Sequence, residues 1–119
     1  MADHDAQMLK GVLSLILLSL LRDDQDYGYA IVVRLREAGF ADLAEGTVYP
    51  ALSRLEAAGL LEASLVRSST GPARKYYRAT PQGRREGERA TRAWNALVAG
   101  VATITSQQNP PSTPLGSTS

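Results

Sequence analysis

At Gly59 the spacing of apolar residues changes period, and that change restricts the fold more than any other feature of the chain. Before it lie two segments of helical spacing, each closed by a glycine. Tyr27–Ala38 ends at Gly39, turns Ala30, Ile31, Val33 or Leu35 inward, and takes Asp26 as its cap. The next helix opens at Glu45-Gly46-Thr47-Val48-Tyr49-Pro50, with Leu52, Leu55 and Ala58 as its apolar positions. Pro50 fits only a first turn, where its missing N–H would have had no helical partner. After Gly59 the period becomes two. Leu60–Ser68 reads as a strand that sets Leu61, Ala63 and Leu65 opposite Glu62, Ser64 and Val66, Ser69-Thr70-Gly71-Pro72 is turn chemistry, and Ala73–Thr80 is a second strand. Two helices joined by a short turn and followed by a hairpin predict a winged helix-turn-helix, a mainly α fold with a β-hairpin.

Two further helices flank this unit. Leu9, Val12, Leu13, Ile16, Leu17, Leu20 and Leu21 recur at the helical period, and Leu15 and Leu18 widen the stripe until more than one neighbour is needed to cover it. The run Gly11–Leu21 is about half the ~20 residues of a membrane span. Asp3 and Asp5 precede it and Asp23, Asp24 and Asp26 follow it, which also excludes a signal peptide. At the other end Thr80-Pro81 starts a long helix reaching about Thr105. Its first half is basic, with Arg84, Arg85, Arg89 and Arg92. Its second half carries Ala90, Trp94, Leu97, Val101 and Ile104 in alternating steps of four and three, an a/d seam with nothing later in the chain to cover it. The expected division is 1–80 as a winged helix-turn-helix DNA-binding domain, 81–105 as a C-terminal dimerisation helix and 106–119 as a disordered tail, uncharged and with three prolines.

The chain has 119 residues and a net charge of +1, but the charge is unevenly spread. Residues 1–65 carry five basic and ten acidic side chains, residues 66–92 carry eight basic and two acidic, and the rest carry none. Arg67, Arg74, Lys75, Arg78, Arg84 and Arg85 thus fall on and just after the hairpin, interleaved with Tyr76 and Tyr77. Such clustering suits phosphate neutralisation, because each cation near the backbone releases counterions. There is no cysteine, and the sole histidine is His4. Thiol chemistry, Cys-ligated metal and histidine acid–base catalysis are therefore excluded or poorly supplied, and a reducing cytoplasm suits the chain. No P-loop, GxGxxG, GxSxG or HExxH is present, so neither an enzyme nor a cofactor is expected.

Thr47, Tyr49, Ser53 and Arg54 bring hydrogen-bonding groups to the first part of the third helix, which helix-turn-helix proteins lay in the major groove. Arginine can bond guanine twice, and threonine's methyl can touch thymine. A polar helix face alone would only meet water; the basic hairpin beside it argues for double-stranded DNA. One of Tyr76 and Tyr77 belongs to the core. Tyr27, at a helix start, and Lys10, on the first helix, are further candidates, whereas Tyr29 reads as packing. Trp94 in the seam reads as dimer core, or as an aromatic wall for a hydrophobic ligand held between two subunits.

Taken together, Leu9-Lys10-Gly11, Tyr27-Gly28-Tyr29, Glu45-Gly46-Thr47-Val48-Tyr49-Pro50-Ala51-Leu52, Arg54-Leu55-Glu56, Gly59-Leu60-Leu61 and Arg74-Lys75-Tyr76-Tyr77-Arg78 with Thr80 and Gly83 resemble the PadR family of transcriptional regulators over about residues 9–105. The resemblance implies a bacterial repressor of the short branch, with one C-terminal helix. Thr47, Tyr49 and Arg54 would face DNA, with Arg74 and Lys75 on the wing. It also implies that the first and last helices of two subunits meet, which groups Leu9, Leu13 and Ile16 with Trp94, Leu97, Val98 and Val101 as dimer interface and effector site. Family wings often carry an arginine after the tip glycine; here Gly71 is followed by Pro72 and Ala73. The expectation is a homodimer on a pseudo-palindromic operator, released by a small hydrophobic or aromatic effector, with no membrane partner. The rival readings are a winged-helix protein-interaction module and a ligand-sequestering protein without operator binding.

Overall fold

The computed structural model describes residues 4–108. Its elements in chain order are α1 (Ala6–Leu20), β1 (Asp26–Tyr27), α2 (Gly28–Glu37), α3 (Glu45–Ala57), β2 (Leu61–Val66), β3 (Arg74–Ala79) and α4 (Pro81–Gln108). The fold is the mainly helical winged helix-turn-helix that the change of period implies, and its long last helix is present. Gly39 and Gly59 take positive φ, 99° and 78°, as the residues that stop α2 and α3.

The core lies where α1, α2 and α3 meet the inner face of the sheet. Leu17, Leu18, Leu21, Ile31, Val32, Leu35, Val48, Leu52 and Leu61 are the large side chains fully enclosed there. Each contributes about 1.5–3 kcal/mol by leaving water. Most ion pairs among the described residues join side chains open to water, where their attraction is screened, so burial holds the fold.

Three details differ from the expectation. The wing is part of a three-stranded antiparallel sheet in the order β1-β3-β2, because Asp26 and Tyr27 pair with Tyr77 and Tyr76. Asp26 accordingly does not cap α2, which starts one residue later, at Gly28. One carboxylate oxygen of Asp26 accepts the neighbouring Tyr27 N–H at 3.0 Å and the other pairs with Arg34 at 3.2 Å. The strand alternation holds at buried Leu61 and half-buried Ala63 but lapses at Leu65, 74% exposed where the wing leaves the body. Finally, α4 continues past Thr105 through Ser106 to Gln108. The hydroxyls of Thr103, Thr105 and Ser106 donate to carbonyls one turn back, so these three side chains are satisfied by their own helix. The rest of the expected tail, 109–119, lies outside the described residues.

Thr80 fixes the start of α4. Its hydroxyl accepts the Gly83 N–H at 3.0 Å and donates to the Gly59 carbonyl at 2.7 Å, while its own N–H reaches the Leu60 carbonyl. Gly83 lies so close to this turn that a Cβ would overlap the Leu60 carbonyl oxygen. From Thr91 to Ser106 every residue of α4 is exposed. The helix carries that arm away from the body, and the molecule measures 67 × 32 × 21 Å.

Candidate nucleic-acid interface

Helix α3 buries Val48, Ala51, Leu52 and Leu55. At ~3.6 residues per turn the opposite face is centred on Gly46, Pro50, Ser53 and Ala57, all exposed. These side chains are small, so another surface can come close to the helix axis. Thr47 and Arg54 flank this ridge on one side and Tyr49 and Glu56 on the other, the side of the wing. Thr47, Tyr49, Ser53 and Arg54 are therefore all presented outward. Gly46 and Pro50 were not among the expected contact residues. Gly46 has no side chain, and Pro50, which stands inside α3 as its sixth residue rather than in the first turn expected of it, adds only a compact ring on the face opposite the core.

Between α3 and the wing runs an open cleft of about 550 Å³ lined by Tyr27, Tyr29, Tyr49, Arg74, Lys75 and Tyr77, with Gly28 at its base. It brings four of the expected DNA residues together: Tyr27, Tyr49, Arg74 and Lys75. The Arg74 guanidinium stands 4.6 Å from the centre of the Tyr27 ring, and Tyr27 in turn packs against Tyr76 at 5.2 Å. Tyr77 is the core tyrosine of the pair and Tyr76 the outward one. Gly28 is a third residue absent from the expected contacts. A Cβ there would come within 2.6 Å of Tyr49 Cε1, so only glycine lets that ring lie against the start of α2. Partial burial, aided by the Glu45 carboxylate, raises the Tyr49 hydroxyl above its ordinary pKa and keeps it a neutral donor. Tyr29, expected to pack, is more than half exposed.

The basic run is less free than its sequence suggests. Lys75 pairs with Glu56 of α3 at 3.0 Å, Arg78 with Glu62 at 3.2 Å across the hairpin, and Arg84 with Asp23 at 3.8 Å. The hydrogen bond to Glu56 holds the Lys75 ammonium above its ordinary pKa. Among the described residues, Arg54, Arg67, Arg74 and Arg85 have no such carboxylate. Lys10 lies apart from the cleft, exposed on α1, where it lines a hollow of about 230 Å³ with Thr47, Leu9 and Leu13.

A second surface joins α1 and α4. Trp94, Leu97, Val98, Val101 and Ile104 are 41–59% exposed along one side of α4. Trp94 and Leu97 share a groove of about 410 Å³ with Met8, Gly11, Val12 and Leu15 of α1. Leu9, Leu13 and Ile16, grouped with this seam in the sequence reading, do not line it. Leu13 is enclosed in the core, and Leu9 and Ile16 pack against that core. The face of α1 beside Trp94 is offset from theirs by about one residue. Helix α1 is apolar on several faces, and its period cannot say which of them meets α4.

Among the described residues no helix is long and apolar enough to cross a membrane, and no group of His, Asp and Glu is placed to hold a metal ion. Residues 17–89 match the family of PadR-like transcriptional regulators. A transcriptional regulator of Mycobacterium tuberculosis is 45% identical over 62 residues, 52% of this chain and 56% of that protein, so the match spans little more than half the relative's length. The crystal structure of a PadR-like transcriptional regulator from Bacillus cereus superposes with a TM-score of 0.76 at 36% identity, covering 84% of this chain and 97% of that one. PadR of Bacillus subtilis, solved in complex with operator DNA, shares the fold at 22% identity and a TM-score of 0.60, covering 91% of this chain and 52% of that one.

Proposed function

The chain belongs to the PadR-like family of transcriptional regulators, and from that we propose that it is a homodimeric, sequence-specific DNA-binding repressor. The observation that carries the reading is the outer face of α3: a ridge of small residues flanked by Arg54, Thr47 and Tyr49, beside a wing that holds Arg74 clear of any carboxylate. The operator complex of the Bacillus subtilis relative supports duplex DNA as the partner. In this reading α3 enters the major groove. Arg54 and Thr47 read base edges, Ser53 and the Tyr49 hydroxyl bond bases or phosphates, and Arg74 and Tyr27 take the backbone beside the wing, with Lys10 reaching it from α1.

The exposed seam of α4 supports a dimer, since a soluble monomer would leave Trp94, Leu97, Val98 and Val101 in water. Two α3 helices then meet half-sites about 34 Å apart on a pseudo-palindromic operator. The groove beside Trp94 suits a small hydrophobic or aromatic effector whose binding shifts the dimer away from the DNA-competent geometry. Such a protein would work in the cytoplasm, on the chromosome.

The test is a gel-shift against the DNA upstream of the chain's own gene and against duplexes selected from a random pool, with excess non-specific competitor and at two salt concentrations. A shift that survives competitor and weakens with salt is expected; with ~6–10 phosphate contacts the loss is about 10³–10⁵ between 50 and 200 mM. No selected duplex would return the chain to a protein-interaction or ligand-sequestering role.

A further inference from the structure

Glu56 presents a problem for any DNA-binding reading. It is a carboxylate on the wing side of α3, 36% exposed, beside the face meant to meet a polyanion. There it repels every duplex alike, whatever the sequence. What it does instead is visible in the geometry. Its Oε1 lies 3.0 Å from Nζ of Lys75, the second residue of β3, so the pair bridges the reading helix and the wing. The Lys75 ammonium also stands 5.4 Å from the centre of the Tyr77 ring, which the core holds in place. Lys75 is thus tied to two fixed groups, while Arg74 next to it leans only on the Tyr27 ring.

Cations that are free to reach phosphate raise affinity for all sequences equally; base contacts alone discriminate. A carboxylate that occupies a cation lowers the first term without touching the second. Both partners are open to water, so the ion pair's own stabilisation is small and its worth lies in placement. We propose that Glu56 sets the strength of sequence-independent binding: it withholds Lys75 from phosphate contact and sets the wing against α3. This rests on the DNA-binding reading above.

The experiment compares the full-length protein with Glu56→Gln, Lys75→Ala and the double variant. Each is titrated from 50 to 200 mM salt onto a labelled duplex of random sequence and onto the tightest duplex selected from a pool. Glu56→Gln frees one cation. The slope of log affinity against log salt should steepen by about 0.9 on both duplexes, an extra loss of about 3.5-fold over that range, and the ratio of specific to non-specific affinity should stay the same. Lys75→Ala alone should leave the slope unchanged, and the double variant should return to it. An unchanged slope for Glu56→Gln overturns the proposal. So does a slope flattened by about 0.9 for Lys75→Ala, which would mean that Lys75 already holds phosphate. If melting curves show Glu56→Gln to be unfolded, the Lys75→Ala arm decides by itself. A wild-type protein that binds no duplex overturns the DNA reading and the proposal together, and so separates that failure from the others.

Discussion

At Gly28 one missing carbon decides where a tyrosine stands. The Tyr49 ring occupies the space a Cβ would need, so Gly28→Ala must move the ring or the start of α2. Overpacking of this kind costs about 1–3 kcal/mol. The melting temperature should fall modestly and DNA affinity should fall with it; unchanged affinity would remove Tyr49 from the interface. Arg54→Ala should act differently. Having no carboxylate to release, Arg54 is available to a base edge, and its loss should weaken selected DNA by about 5–150-fold, or 1–3 kcal/mol, and random DNA far less. An equal loss on both would mean a phosphate contact only. The outward placement of Thr47, Tyr49, Ser53 and Arg54 was legible in the sequence, because the period of α3 separates them from Val48, Ala51, Leu52 and Leu55. Lys75's partner was not: Glu56 lies 19 positions away and on another element, a meeting only the packed fold creates.

Among the elements, α4 is held along its first part, by Thr80 and by the packing of Gly83 and Gly87 on Leu60 and Leu18, and left bare at its far end. Thr80 caps it and ties it to the end of α3. The seam beyond Trp94 is not needed for the core, so replacing Leu97 and Val101 with aspartate should leave the monomer's helicity intact while abolishing dimers. Sedimentation should read one chain mass instead of two, and operator affinity should collapse because two half-sites are no longer held together. A variant that still sediments as a dimer would place the contact elsewhere. The order of the helices and the hairpin followed from periodicity, glycine stops and the Thr80-Pro81 start. Strand β1 did not, because two residues have no period of their own; Asp26 and Tyr27 are a strand only because β3 lies beside them. The end of α4 was also missed, since its hydroxyl residues, poor helix formers in water, bond to their own backbone here.

Over the whole molecule, two carboxylates of lowered pKa depend on local partners, and acid should expose this. Although partial desolvation works against it, the Asp42 carboxyl is held below its ordinary range by the N–H and ring of His4. Glu86 is likewise lowered, chiefly by its hydrogen bonds from Arg89. Groups of lowered pKa lend stability above the unfolded carboxylate range, near ~4, and lose it as pH falls through the folded values. The melting temperature should therefore drop on acidification below about pH 4, and Asp42→Asn should lessen the drop. An identical acid limb in the variant would show the His4–Asp42 contact to be inert. The length of α4 matters differently at this scale. Its 28 residues make a stiff arm of about 42 Å. Gly83 is pressed against Leu60 and Gly87 against Leu18, so the arm leaves the body only beyond them, from about Thr91. A tilt of about 8° there sweeps the far end, about 26 Å on, through about 3.6 Å, close to the ~3.4 Å rise of one base pair. In a pair joined at those far ends, so slight a bend would put the two reading heads out of step by one rung of the duplex.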